Sequence, residues 1–329
     1  MDGTRGGKGA VKAPRSLDQE LEEHAARLAH RRGRELVGLG QGSIVRLDRA
    51  TLGLRGLMLL AAAPNVGKTT LVMQLGLDVV RANPDACLLF VSLEMTRADI
   101  MTRLLCNLSR LDWKTVILGE GGQLSAQASH SLEQAQADLA EMGPRIMILD
   151  EQNYPRPTVE GLAAELNALK QRSGASRGLI IIDYLQVFPL PAKDDSGGPL
   201  PGEADADMWR VGALKSLRDA TGEAVLAISE VGKPVPGQAW AGSLTDIAGS
   251  SRAIYTPDMV FLLQTLSEEE ALRQIGGDPR AARQQMQQLG ITFLRLAVAK
   301  GRDGVVRDTI NLTFYHRQSR FAEGFRGFI

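Results

Sequence analysis

The sequence predicts an α/β fold: a mostly parallel central sheet with helices on both faces and an antiparallel hairpin at the C-terminal end. Three observations predict it. From Leu57 onward, short apolar runs alternate with helix-length amphipathic segments. The runs at 57–60, 87–91 and 179–182 are apolar throughout, the pattern of strands buried on both faces of a parallel sheet. Residues 305–321 read instead as antiparallel hairpin material.

Taken in order, residues 1–15 are Gly-rich and basic and read as a disordered tail. Ser16 reads as an N-cap, and the helix that follows, to about residue 32, places Leu17, Leu21, His24, Ala25 and Leu28 on one face. That apolar face must dock, either on its own domain or on a neighbouring subunit. The apolar strand at 57–60 leads into Ala62-Ala63-Pro64-Asn65-Val66-Gly67-Lys68-Thr69-Thr70 and then into a helix at 71–80. Further strands are expected at 87–91, 146–149, 179–182, 224–228, 259–263 and 293–298. Further helices are expected after the capping-box-like Thr96-Arg97-Ala98-Asp99 and at 132–142, 159–169 and 209–220. Residues 267–288 read as a polar helix pair without chemistry. Two loops rich in Gly, Pro and Ser, at 189–206 and 232–251, follow strand ends on the side where α/β folds bind ligands.

Bulk properties bound the function. At 329 residues the chain suffices for one large domain or two, and 44% hydrophobic content supports a substantial core. Lys+Arg 38 against Asp+Glu 38 excludes a global basic field, so any nucleic-acid surface must come from local patches. Cys87 and Cys106 read as buried thiols. No apolar run reaches membrane-spanning length and no signal-peptide core is present, so a cytoplasmic location without a membrane partner is expected.

The strand, glycine-containing loop and helix opened by Gly67-Lys68-Thr69 have the layout of a phosphate-binding loop. Backbone N–H groups of Ala63, Pro64's neighbours Asn65 and Val66, and Gly67 to Thr70 would face the phosphates at a positive helix end. Lys68 supplies a point charge and the Thr69 hydroxyl a ligand for Mg²⁺, so a nucleoside triphosphate such as ATP and Mg²⁺ are implied. Ala62 occupies the place of the usual first glycine. The strand ending in Asp183 supplies the rigid carboxylate that orders Mg²⁺ beside Thr69. Glu94, at the end of a strand expected beside the phosphate-loop strand, either orients the attacking water or is a helix-start acid favoured by the dipole.

Phe90-Val91-Ser92-Leu93-Glu94-Met95, Ile181-Ile182-Asp183-Tyr184-Leu185-Gln186, Ala227-Ile228-Ser229-Glu230 and a C-terminal hairpin of Lys300-Gly301-Arg302-Asp303-Gly304, Leu312-Thr313-Phe314 and Ser319-Arg320-Phe321 occur in the order found in DnaB-type replicative DNA helicases, which the chain resembles from about Leu36 to Glu323. The resemblance implies a RecA-like P-loop ATPase core, residues 35–329, assembled as a homo-hexameric ring with ATP between subunits. It implies a linker helix, residues 16–34, packed on the next subunit. Lys68, Thr69 and Asp183 would hold phosphate and Mg²⁺, and Glu94 would activate water. Lys300 and Arg302, which by themselves read as solvated residues flanking an Asp303-Gly304 turn, would reach the γ-phosphate of the neighbouring subunit, Arg302 as a finger. The two loops would be the channel loops that grip single-stranded DNA, with Lys233, Gly249, Ser250, Ser251 and Arg252 as candidate contacts. A loader or primase is an implied partner.

Three departures qualify that expectation. Little sequence precedes the phosphate loop, so no N-terminal primase-interacting domain is expected. Glu230, the candidate γ-phosphate sensor, stands where the family has Gln, and an ionised carboxylate donates no hydrogen bond. The first loop holds Lys193 among Asp194, Asp195, Glu203 and Asp205, a poor match to a polyanion. The expected function is an ATP-dependent DNA helicase. The alternative is a RecA/KaiC-like ring ATPase that remodels a protein partner without unwinding.

Overall fold

A computed structural model of the chain describes residues 15–31, 36–119, 122–190, 203–231, 244, 254–275 and 279–325. Its elements are α1 (Leu17–Arg31), α2 (Val45–Thr51), β1 (Leu57–Ala62), α3 (Lys68–Ala82), β2 (Ala86–Ser92), α4 (Arg97–Ser109), α5 (Trp113–Leu118), α6 (Ala126–Met142), β3 (Ile146–Leu149), α7 (Val159–Ser173), β4 (Arg177–Asp183), α8 (Glu203–Thr221), β5 (Ala224–Glu230), β6 (Met259–Thr265), α9 (Glu268–Ile275), α10 (Pro279–Leu289), β7 (Ile291–Gly301), β8 (Thr309–Tyr315) and β9 (Arg320–Glu323).

The strands form one sheet in the order β3-β2-β4-β5-β1-β6-β7-β8-β9. Pairing is parallel from β3 through β6 and antiparallel from β6 to β9. The fold is the α/β, RecA-like arrangement with its antiparallel C-terminal extension. The period of two in a strand divides each parallel strand between two cores. Met58, Leu60 and Ala62 of β1 join the face covered by α3, with Leu88, Phe90, Leu179 and Ile181. Leu57, Leu59 and Ala61 join the opposite face, with Leu162 and Leu166 of α7 and Leu214 and Leu217 of α8. Burial on both sides is why these strands carry no polar alternation.

Helix starts follow local chemistry. Thr96 caps α4, its hydroxyl accepting from the Asp99 N–H at 3.2 Å and donating to the Asp99 carboxylate at 2.6 Å. The reciprocal bond of the box thus runs through the hydroxyl and not through the Thr96 N–H. Ser125 caps α6, which begins at Ala126, six residues before the start that apolar periodicity indicates. Its first turn is Ala, Gln and Ser, which form a good helix but no stripe. The short helices α2 and α5 were not legible for a similar reason. Asp303 and Gly304, at φ 54° and 84°, make the tight turn that follows β7.

Most of the tail expected over 1–15 and of the loops expected over 189–206 and 232–251 lies outside the described residues, but residues 203–206, expected in the first loop, open α8 instead. Lys233, Gly249, Ser250, Ser251 and Arg252 likewise lie outside the described residues. In α1, Leu17, Leu21 and Leu28 are 79%, 61% and 45% exposed, so the described residues of the chain leave its apolar face uncovered. Among the described residues no helix is long and apolar enough to cross a membrane. Cys87 and Cys106 are free and buried, and burial pushes both thiols up to about 11.

Candidate nucleotide site

Parallel pairing brings the C-terminal ends of β1, β2, β4 and β5 to one edge of the sheet. Ala62 stands opposite Glu230, and Ser92 opposite Asp183. The loop between β1 and α3 turns there, and its conformation explains Ala62. That residue is the buried last residue of β1 and needs no glycine. The left-handed positions fall later, at Asn65 (φ 62°) and Gly67 (φ 95°). At Gly67 a Cβ would come within 2.8 Å of the Phe314 ring and 3.1 Å of the Phe321 ring, so sterics and backbone both demand glycine.

The result is a cleft of about 480 Å³ at the N-terminus of α3, lined by Pro64, Asn65, Gly67, Lys68, Thr69 and Thr70. Glu94, Asp183 and Glu230 also face it. The Lys68 ammonium donates to the carbonyls of Ala62 at 3.2 Å and Ala63 at 3.0 Å. Burial lowers its pKa, and the carboxylates of Glu230, Asp183 and Glu94 act in the opposite direction, Glu230 most strongly. Asp183 is 1% exposed, and burial raises its carboxyl to about 6 despite the Thr69 hydroxyl and the Lys68 charge. Among the described residues its Oδ2 has no hydrogen-bond partner.

That orphaned oxygen is the observation that bears on a metal. A buried, rigid carboxylate oxygen beside a hydroxyl suits Mg²⁺, which takes few protein ligands and keeps its waters and the substrate's phosphate oxygens. Gln186 ties the ends of β4 and β5 together behind the site. It donates to Ser229 Oγ at 3.1 Å and accepts the Glu230 N–H at 3.2 Å.

Lys300 and Arg302 lie elsewhere. Gly301 pairs with Met259, at the N-terminal end of β6 and level with Met58, so both cations sit toward the opposite edge of the sheet, roughly 13 Å of strand from Ala62. Lys300 Nζ donates to the carbonyls of Ile254, Tyr255 and Pro257. Arg302 donates to the Tyr255 carbonyl at 2.8 Å and approaches Asp258 at 3.4 Å. A single chain therefore does not bring them to its own cleft.

Several cleft residues escaped sequence reasoning. Arg103 of α4, Trp113 of α5, and Phe314, His316 and Ser319 of the C-terminal hairpin line the wall facing the phosphate loop. Arg103 falls on the same helical face as Thr96 and Asp99, a weak signal. Nothing in the sequence places the hairpin over α3.

The family model described as "DnaB-like helicase C terminal domain" matches residues 40–323. The replicative DNA helicase DnaB of Geobacillus stearothermophilus is 31% identical over 166 residues, 49% of this chain and 33% of that protein. The replicative DNA helicase DnaC of Bacillus subtilis (strain 168) is 30% identical over 164 residues, covering 48% and 33%. The matched part is thus about a third of the length of these relatives. Among solved structures, the ATPase domain of G40P superposes with a TM-score of 0.73 at 20% identity, covering 94% of this chain and 99% of that one. A DnaB-like replicative helicase studied with primase also gives 0.73 at 20% identity, covering 93% and 68%.

Proposed function

This chain belongs to the DnaB-like helicase C-terminal domain family, and from that premise we propose that it is an ATP-dependent DNA helicase acting as a homo-hexameric ring on single-stranded DNA. The observation that carries the proposal is the split site. The phosphate loop, Asp183 and Glu94 face one edge of the sheet, and Lys300 and Arg302 face the other. In a ring of like-oriented subunits, one edge meets the other at every interface, and each interface encloses one ATP.

In this reading the loop residues Ala63 to Thr70 cradle the phosphates and Lys68 pairs with the β- and γ-phosphates. Thr69 and Asp183 hold Mg²⁺, which supplies charge neutralisation at the phosphate oxygens. Glu94 orients the attacking water. Arg302 of the adjacent subunit neutralises charge as the terminal phosphate departs, and Lys300 supports it. Glu230 faces the terminal phosphate as the sensor. The exposed apolar face of α1 docks on the next subunit as the linker helix, and exposed Trp113, Ile117 and Leu118 of α5 offer an apolar surface of matching kind. Lys233 and residues 249–252, outside the described residues, are the candidate DNA contacts. A loader or primase completes the partners, and a cytoplasmic location fits the role.

The test is strand displacement on a forked duplex with ATP and Mg²⁺. Wild type is expected to unwind and Lys68→Ala not to; unwinding by the variant refutes the engine. Glu230 in place of Gln favours a second reading, a ring ATPase that remodels a protein partner. Intact ATPase without single-stranded DNA binding at low ionic strength selects it.

A further inference from the structure

The C-terminal hairpin is held against the phosphate-loop helix by a side chain that touches no ligand position. Gln74 is six residues beyond Lys68 and 4% exposed. Its Oε1 accepts the Phe321 N–H at 2.7 Å, and its Nε2 donates to the Phe321 carbonyl at 2.9 Å. The amide thus pairs with Phe321 as a neighbouring strand would, on the β9 edge away from β8. Gln74 also accepts from Asn107 Nδ2 at 3.1 Å and donates to Ser43 Oγ at 3.1 Å. The bonds to the Phe321 N–H and carbonyl and from Asn107 fix the amide's orientation, since a reversed amide faces like with like there. Asn107 extends the tether by donating to the Ser319 carbonyl at 2.8 Å.

The segment so held is the wall of the cleft. Phe314, His316 and Ser319 line it, and Phe314 and Phe321 stack at 4.4 Å against Gly67. Ser319 sits at φ 47°, a left-handed conformation that a non-glycine residue keeps only where its surroundings impose it. Its N–H donates to the His316 carbonyl at 3.2 Å, and Asn107 holds its carbonyl. Loss of Gln74 removes both bonds to the Phe321 backbone and leaves β9 held by β8 and by the Arg46 N–H on Glu323 at 3.2 Å; loss of Asn107 removes the bond to the Ser319 carbonyl.

We propose that Gln74, assisted by Asn107, is a positioning residue that sets nucleotide affinity by fixing the C-terminal hairpin as the wall of the cleft. The inference rests on the nucleotide-site reading above. It requires that removing the tether weaken nucleotide capture while leaving the phosphate loop, Asp183 and Glu94 able to turn over.

The experiment measures binding of a fluorescent ATP analogue and steady-state ATPase for the full chain, for Gln74→Leu and Asn107→Ala, and for Lys68→Ala as the negative control. The expected result is a Kd and KM raised about tenfold in Gln74→Leu and less in Asn107→Ala, with kcat at saturating ATP within about twofold of wild type. A folded Gln74→Leu with unchanged Kd, or with kcat lost at unchanged KM, overturns the inference. Should Gln74→Leu not fold, Asn107→Ala decides: weakened binding supports the tether and unchanged binding overturns it. If wild type binds no more analogue than Lys68→Ala, the site reading itself falls, and the inference with it.

Discussion

Ala62 and Glu230 stand opposite each other at the ends of β1 and β5, in register across a parallel pair. The carboxylate is therefore built into the phosphate cleft by sheet pairing, and it is the strongest of the charges that oppose the lowering of the Lys68 pKa by burial. It also opposes an incoming polyanion. Glu230→Gln is expected to lower the KM for ATP about fivefold, the effect of removing roughly 1 kcal/mol of screened repulsion. Steady-state kinetics at fixed Mg²⁺ check this; an unchanged or higher KM counts against Glu230 facing the triphosphate.

Asp183 titrates at about 6 because it is buried. Below that pH its carboxyl is neutral and a poor cation ligand. Half-saturating Mg²⁺ for nucleotide binding is expected to rise about tenfold per pH unit below 6 and to be flat above 7. In Asp183→Asn the Mg²⁺ requirement should be high and should lose this pH dependence. Magnesium titrations followed by analogue fluorescence give the result directly.

Asp78 is 8% exposed, accepts a hydrogen bond from Ser43, and is raised by burial to about 7. Arg81 lowers it and Asp48 raises it. The folded chain keeps a proton that the unfolded chain releases near 4, so the penalty grows from about pH 4 to pH 7 and is constant above. Asp78→Asn is expected to stabilise by on the order of 1–3 kcal/mol at pH 8 and by nothing at pH 4. Thermal melts across pH test it, and equal gains at both extremes contradict it.

Gly67→Ala combines an unfavourable left-handed φ of 95° with contact against Phe314. A cost of roughly 2 kcal/mol or more is expected, with nucleotide binding lost because loop and hairpin must move apart. Calorimetry with and without ATP shows whether both losses occur together.

Arg302→Ala is expected to abolish turnover and spare nucleotide binding, since Arg302 lies on the far edge of its own sheet. Mixing it with Lys68→Ala subunits should restore part of the ATPase, each supplying half of a site. Absence of rescue at every ratio argues against a shared site.

Much of this protein is written locally. Residues 57–70 specify a strand, a loop needing glycine at 67 and a helix opened by Lys68, and the folded chain has each. Apolar strands ending at Asp183 and, two residues before Glu94, at Ser92 were legible because burial on both faces leaves no polar alternation, but β2 lies beside β4 and not, as expected, beside β1. The alignment of those strand ends at one edge follows from parallel pairing. What the sequence could not determine is where the C-terminal hairpin lies. β8 and β9 are several strands from β1 in the sheet, yet their aromatic rings rest on Gly67 and their backbone on Gln74. That placement depends on the twist of the whole sheet around α3 and on hydrogen bonds between residues 247 positions apart. Local propensity carries no term for contacts made at that distance, so only the tertiary structure decided it.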